Sequence, residues 1–327
     1  MTSVELRRRL DDRAYAEVAA LAASAGRGGH AALGEARWLE LDEERRAPGS
    51  VPGFAALLVP APGRPGTLSA YGQLRRGPSG WDLEMAVAEV PGAERLRAAV
   101  ARRALVAVAA GGGGSLQWFV PVAGPSDDDV AASLALRPVR ELLQLRRPLP
   151  LDGALAARAA RVRARPFRPG TDERAWLAVN NAAFAGHPDQ GSWDEATVRA
   201  HEALDWFDPD GFLVVDGDGD GGDGGGGLAG FCWTKRELAT PEVGEIYVLG
   251  VAPAYQGTGL GASLLAVGCQ HLFSVGARQV TLYVDAGNAP ALRLYRSAGF
   301  VEDHVDRVYG GHVEATDPLG GARAPDA

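Results

Sequence analysis

Only two of the 327 residues are cysteines, Cys232 and Cys269. One pair makes neither a disulfide framework nor a thiolate metal cluster, so an apolar core has to hold the fold. Histidine is sparse: His30, His187, His201, His271, His304 and His312 fall at no ligand spacing, and no metal is implied. No stretch approaches membrane-spanning length without a charge. Arg7, Arg8 and Arg9 lead into a polar run, not the apolar run of a secretion signal. Basic charge is short as well: 33 Lys and Arg stand against 41 Asp and Glu, a net charge of −8. That balance argues against nonspecific nucleic-acid binding, which leans on basic surface. These absences predict a cytoplasmic monomer with no nucleic-acid and no membrane partner.

Lysine is the scarcest charge. Lys235 is the only one, every other cation apart from histidine being arginine. Under such a bias, a retained lysine points to a position that needs a compact, flexible point charge instead of a planar fork. Chance survival is the other reading.

The chain is long enough for two domains of common size. The spacing of Leu6, Leu10, Val18 and Leu21 predicts an amphipathic helix over 3–23. Strands are expected at 53–59, 68–74 and 82–90, an Ala-rich helix at 93–109, a strand at 116–120, a capped helix at 127–134 and a strand at 139–145. The proline-marked run Arg147–Asp152 looks like a domain junction. A similar order then recurs: a strand at 162–167, helices from about 171 and 193, strands at 212–216, 228–235 and 244–251, a helix after Gly259, a strand at 280–284, a helix from about Asn288 and a last strand. The chain therefore reads as two copies of one α/β unit with a mixed sheet, spanning 1–147 and 161–316, with a linker at 148–160 and a disordered tail at 317–327. Between the strands at 212 and 228, Asp216, Asp218 and Asp220 superficially suggest a calcium loop, but Gly227 stands where the closing glutamate is required. A flexible hairpin connection is the better reading.

The chemistry concentrates in 244–300. An apolar strand leads to Gln256-Gly257-Thr258-Gly259-Leu260-Gly261, then a helix, a strand, Asn288 and, seven residues later, Tyr295. A glycine loop opening a helix presents bare N–H groups and the positive end of a dipole to an anion. A dinucleotide-binding turn would need G-x-G-x-x-G and an acidic residue at the next strand end; that spacing is absent, and Pro253 falls between strand and loop. The loop resembles the Q/R-x-x-G-x-G/A signature of the GNAT N-acetyltransferases, and the segment from Asn288 through Leu294-Tyr295 to Gly299-Phe300 resembles their later N-x-x-A-x-x-L-Y-x-x-x-G-F motif. In the first half, Pro91 to Arg97 lacks the paired glycines and carries Glu94 where an anion should rest.

The run Asn180 to Gly191, with Trp206-Phe207-Asp208-Pro209-Asp210-Gly211, Trp233-Thr234-Lys235 and 244–251, resembles the mycothiol synthases, a family of tandem-GNAT acetyltransferases. The resemblance covers nearly the whole chain, densely over 176–300 and thinly over 1–135. It implies two mixed-sheet acyl-CoA N-acyltransferase domains and transfer of acetyl from acetyl-CoA to the cysteinyl amine of Cys-GlcN-Ins. It further implies that Leu249, Gly250 and Val251 hold the acetyl and pantetheine amides. Gln256, Gly257, Thr258, Gly259, Leu260, Gly261 and Ala262 would wrap the pyrophosphate, and Asn288, Ala289, Pro290, Ala291, Leu292 and Arg293 would contact the CoA arm. Glu35, Asp189, Lys235, Glu245 and Tyr283 would bind the acceptor, Asp189 standing where the family more often has glutamate. In the first half, Met85 to Val87 matches a strand for a second acetyl-CoA, against which the lost glycines count.

Amide formation needs a neutral amine. Glu245, beside the cofactor loop, is the candidate base, directly or through water; a surface carboxylate is the plainer reading. Backbone N–H groups of 249–251 can meet the oxyanion, and Tyr295 can protonate the departing thiolate, unless it is only a core aromatic. Trp193 and Trp206 read as core or pocket wall. The competing readings are a tandem acetyltransferase for another small amine, such as an aminoglycoside, a polyamine or a peptide N-terminus, and a non-catalytic acyl-CoA-sensing module.

Overall fold

The computed structural model of the chain describes residues 2–27, 31–185, 190–191, 193–218, 227–236 and 240–316. The first half runs β1 (Glu5–Arg7), α1 (Asp12–Ser24), α2 (Glu35–Arg46), β2 (Ala55–Pro60), β3 (Leu68–Gly77), β4 (Gly80–Val87), α3 (Ala93–Ala110), β5 (Gly114–Val120), α4 (Pro125–Ser133) and β6 (Arg137–Pro148). After α5 (Gly153–Ala159) the same order returns as β7 (Ala164–Pro166), α6 (Glu173–Ala183), α7 (Glu195–Glu202), β8 (Phe212–Asp216), β9 (Leu228–Arg236), β10 (Val243–Val251), α8 (Leu260–Ser274), β11 (Gln279–Asp285), α9 (Ala289–Ser297) and β12 (Val301–Val313). Two compact units result, residues 1–142 with 304–327 and residues 143–303.

In the first unit, β1 to β4 pair antiparallel in sequence order, β4 and β5 pair in parallel, and Arg307–Val313 of β12 closes the sheet against β5. One face is covered by α3, whose buried Ala98, Ala101, Ala104 and Val108 recur at helical spacing and meet Leu57, Leu83, Trp118 and Tyr309. The other face packs Val18, Leu21 and Leu41 from α1 and α2 on Leu58 and Tyr71.

In the second unit the strand order is β6-β11-β10-β9-β8-β7. The pairs from β7 to β10 are antiparallel and β10 and β11 are parallel. Trp176 of α6 stands edge-on to Phe212, Phe231 and Trp233 with centroids 5.3–5.8 Å apart, and all four rings are buried. Truncating one such ring costs about 3–5 kcal/mol. The apolar α8 covers the opposite face, where a methyl on Gly268 would collide with Cys232 and Leu272 lies against Gly244.

Three local expectations change. The helix expected over 3–23 is a strand at Glu5–Arg7 followed by a helix from Asp12, because Asp11 is an N-cap whose carboxylate accepts from the Ala14 N–H at 2.7 Å. Leu6, spaced as if helical, packs partly buried against the other core of the unit. Helix α2 has no counterpart among the expected elements; eight of its twelve residues are charged, and it is held by Arg37 on Glu84, Glu40 on Arg75 and Glu44 on the Gly49 and Val51 N–H groups. A helix, α5, occupies part of 148–160 and packs on α8. The hairpin between β8 and β9 has the expected antiparallel pairing, its base closed by the Gly217 N–H on the Gly227 carbonyl at 2.7 Å. Residues 219–226 and the tail at 317–327 lie outside the described residues. No helix among the described residues is long and apolar enough to cross a membrane.

Candidate active site

β10 and β11 pair only over Val243–Ile246 and Gln279–Leu282, yet β10 runs on to Val251 and β11 to Asp285. Where they part, the β9–β10 ladder slips by one residue: Ile246 opposes Thr234 and Val248 opposes Trp233, which makes Tyr247 the extra residue of a β-bulge. A bulge bends its strand and sharpens the twist, and this turns 247–251 away from β11. The strands diverge into a wedge, and the β10 peptide groups on that edge are offered to whatever enters it.

The glycine loop lies at the end of the same strand. Gly257 and Gly259 adopt φ of 78° and 88°, values that other residues reach only with strain. A Cβ on Gly257 would meet nothing within 4 Å, so this glycine serves backbone conformation and leaves open space above it. Helix α8 starts at Leu260 behind Gly259, which has no side chain to cap it; Thr258 Oγ1 accepts from the Leu260 N–H at 3.4 Å, and the next N–H groups and the positive dipole end remain for an anion. The loop is pinned from within: Thr258 Oγ1 donates to the Tyr255 carbonyl at 2.7 Å, and Gln256 Nε2 to the Val251 carbonyl at 3.2 Å. A methyl on Gly261 would lie 3.6 Å from Val251 Cγ2 and 3.7 Å from Leu294 Cδ2. The start of α8, the end of β10 and α9 therefore meet, which brings together the three segments expected to contact the cofactor. Asn288 caps α9, its Oδ1 accepting from the Ala291 N–H at 3.1 Å.

Of the expected acid, base and acceptor residues, Lys235, Glu245 and Tyr283 lie on neighbouring strands. Glu245 is directly opposite Lys235 on β9 and Thr281 on β11. Opposed residues share a face and alternation repeats every second residue, so Tyr283 joins them. Tyr283 is 38% exposed, and its hydroxyl accepts from Gln144 Nε2 at 2.8 Å. The Lys235 Nζ rests 4.8 Å from the Trp206 ring centroid and 5.7 Å from that of Tyr247. Tyr295 is 8% exposed beside Phe300; burial, and secondarily Cys232, push its hydroxyl pKa well above the usual tyrosine value, which favours the protonated form. Glu35 is the first residue of α2 and belongs to the first unit. Its N-cap Gly34 donates to the Glu84 carboxylate at 2.9 Å. Asp189 lies outside the described residues.

Three contributors were not visible in the sequence. Gln144 reaches Tyr283 from β6, and Arg147, buried on the same strand, donates to the Ala298 carbonyl just past α9. Tyr247 reads as one more strand residue until the register shows the bulge.

The first unit repeats the backbone plan without the room. Its β4–β5 pairing covers Trp81–Leu83 and Leu116–Trp118 while β4 continues to Val87, and Gly92, with φ of 89°, opens α3. Beyond the last pair, however, Arg27 binds Asp127 at 2.8 Å and Glu89 at 3.2 Å, and Arg97 binds Glu89 at 2.7 Å. A cavity of about 30 Å³ lies beside Met85, Val87 and Trp118.

Residues 175–300 match the Acetyltransferase (GNAT) family. A mycothiol acetyltransferase of Pseudarthrobacter chlorophenolicus is 47% identical over 187 residues, which spans 56% of this chain and only 56% of that protein's length. One of Thermomonospora curvata is 40% identical over 248 residues, 75% of this chain and 79% of that protein. Among solved structures, a GCN5-related N-acetyltransferase from Sphaerobacter thermophilus superposes with TM-score 0.65 at 21% identity over 97% of this chain and 98% of that one. A tandem GNAT protein from the clavulanic acid biosynthesis pathway superposes with TM-score 0.63 at 15% identity, covering 96% of this chain and 100% of that one. These likenesses show the fold, two tandem acyl-CoA N-acyltransferase units of mixed sheet. The match that runs through most of the Thermomonospora protein shows more: the chain belongs to the mycothiol acetyltransferase family.

Proposed function

We propose that the chain transfers acetyl from acetyl-CoA to the cysteinyl amine of Cys-GlcN-Ins, giving mycothiol, and that the second unit carries the chemistry. The observation that carries this reading is the β10–β11 wedge, with a glycine-opened helix N-terminus at one end and Glu245 and Lys235 opposed on the adjoining strand pair. The residues fit acetyl-CoA: the open space at Gly257 and the α8 amides suit the pyrophosphate, and the diverging edge of Leu249, Gly250 and Val251 suits the pantetheine amides and the acetyl carbonyl.

In this reading Lys235 and Tyr283 hold the acceptor hydroxyls while Glu245, directly or through a water, takes a proton from the ammonium. The neutral nitrogen attacks the acetyl carbonyl carbon. Backbone N–H groups of 249–251 meet the oxyanion without reorganising. As the tetrahedral centre collapses, the carbon–sulfur bond breaks, Tyr295 gives its hydroxyl proton to the thiolate, and the remaining extra proton of the attacking nitrogen passes, directly or through water, to the tyrosinate, leaving the neutral amide and the CoA thiol. The first unit serves as a scaffold in which the ion cluster of Arg27, Arg97, Glu89 and Asp127 stands in the cofactor's place.

Acetyl-CoA consumption measured with purified protein and Cys-GlcN-Ins, beside aminoglycosides, polyamines and peptides, tests the proposal. Saturable acetylation of the cysteinyl amine in preference to the others is the expected result. Turnover confined to another amine would refute the acceptor, and cofactor binding with no turnover on any amine would refute the enzyme.

A further inference from the structure

Lys235 is the only lysine of the chain, and the structure places its ammonium on two aromatic faces. Its Nζ is 4.8 Å from the Trp206 centroid and 5.7 Å from the Tyr247 centroid. The two rings meet edge to face, 4.9 Å apart at 62°. Both are supported from below by Trp233, which is fully buried and lies 5.8 Å from Trp206 and 5.4 Å from Tyr247. Tyr247 occupies the bulged position of β10, two residues from Glu245, and Glu245 is the cross-strand partner of Lys235.

We propose that Trp206 and Tyr247 are positioning residues that seat the Lys235 ammonium at the acceptor end of the wedge and thereby set affinity for a hydroxyl-bearing amine. The inference rests on the acceptor reading above and adds to it two residues and a mechanism. A lysine side chain loses much rotamer freedom when it is fixed. Two ring faces restrain it before the acceptor arrives, through attraction of the cation to the ring quadrupoles. Two residues from Glu245, Tyr247 falls on the Lys235 face by ordinary alternation, and the bulge bends the strand at that point. The arrangement also accounts for the lysine itself in an arginine-rich chain. A guanidinium would lie flat on Trp206 and present its donors along the ring plane.

A single lysine makes the test direct. In protein grown with carbon-13 lysine, the Cε–Hε group gives one signal. Ring currents are expected to move it upfield of free lysine, and Trp206→Leu is expected to move it back. Kinetically, Trp206→Leu or Tyr247→Leu should raise the KM for Cys-GlcN-Ins about 10-fold while the KM for acetyl-CoA stays within twofold. Trp206→Phe, which keeps a ring face, should recover most of the loss, and Lys235→Arg should not. A native signal at the free-lysine position overturns the proposal, as does an equal rise of both KM values in the leucine variants. Should one leucine variant fail to fold, the other and Trp206→Phe still decide the matter. An upfield signal that Cys-GlcN-Ins leaves unmoved would instead refute the acceptor reading, while the seat stands on the Trp206→Leu spectrum.

Discussion

Gly261→Ala separates a glycine kept for a ligand from one kept for the fold. The added methyl would lie 3.6 Å from Val251 Cγ2 and 3.7 Å from Leu294 Cδ2, ordinary contact distances. The position is helical, in the first turn of α8. Packing therefore does not require glycine there, and removing its excess backbone entropy should stabilise the helix by up to about 0.5–1 kcal/mol. In a unit of this size that corresponds to a Tm unchanged or higher by about 1–3 °C. The ligand sees a different effect. Backbone N–H bonds to phosphate are charge-assisted and contribute about 1.5–3 kcal/mol each. A methyl that pushes one phosphate oxygen out of reach should weaken acetyl-CoA roughly 10- to 150-fold. Thermal melts without ligand and calorimetric titration with acetyl-CoA read the two effects separately. A Kd within twofold of the wild type would remove the pyrophosphate from this turn. A Tm lower by more than about 3 °C would show that the contact argument itself is wrong.

Glu245→Gln and Tyr295→Phe should each lower kcat about 100-fold or more with the KM for acetyl-CoA nearly unchanged; full turnover in both variants would end the acid–base assignment. Burial pushes the Cys269 thiol up to about 12 and, with the Cys269 neighbour, raises Cys232 as well. At pH 8 neither cysteine should react with a disulfide reagent until urea is added, and a thiol modified in the folded protein would contradict the packing around α8. Burial also raises the Tyr295 hydroxyl above its unfolded value near 10. Its stabilising effect is therefore complete below pH 10 and is lost as pH climbs toward the folded value. Urea midpoints should fall between pH 10 and 11 and fall less in Tyr295→Phe; equal falls in the wild type and Tyr295→Phe would argue that the ring is hydrated. Asp127 is buried against Arg27 and Arg97, so Asp127→Ala should destabilise the first unit by about 3–5 kcal/mol in urea unfolding. A loss below 1 kcal/mol would mean that the cluster is solvated and the small wedge is not closed.

Local rules made much of this protein legible. The Ala-rich spacing of α3, the apolar runs of β9, β10 and β11, the glycines before α8 and the Asn288 cap each express a short-range preference, and each lies within a residue or two of where it was expected. The charged helix α2 was invisible because Leu41 is flanked on its buried side by Arg37 and Glu44, polar residues whose partners elsewhere in the chain turn them inward. The strand at Glu5–Arg7 lost to a helical spacing because pairing with β2 is a long-range contact that no window of neighbouring residues contains.

The residue types needed for acetyl transfer, and their order, were already present in the string: a loop whose φ values only glycine tolerates, a carboxylate one strand before it, a tyrosine one helix after it. Their assembly was decided by the tertiary structure. A one-residue slip in the β9–β10 register has no sequence signature, because any residue can occupy a bulge; yet that slip falls where β10 parts from β11. In the same way the first unit kept the backbone plan of the wedge, and only the meeting of Arg27, Glu89, Arg97 and Asp127 across 100 residues of sequence filled it. Local sequence governs which conformations a segment tolerates; what a cleft contains depends on which distant side chains the packed core brings to its walls.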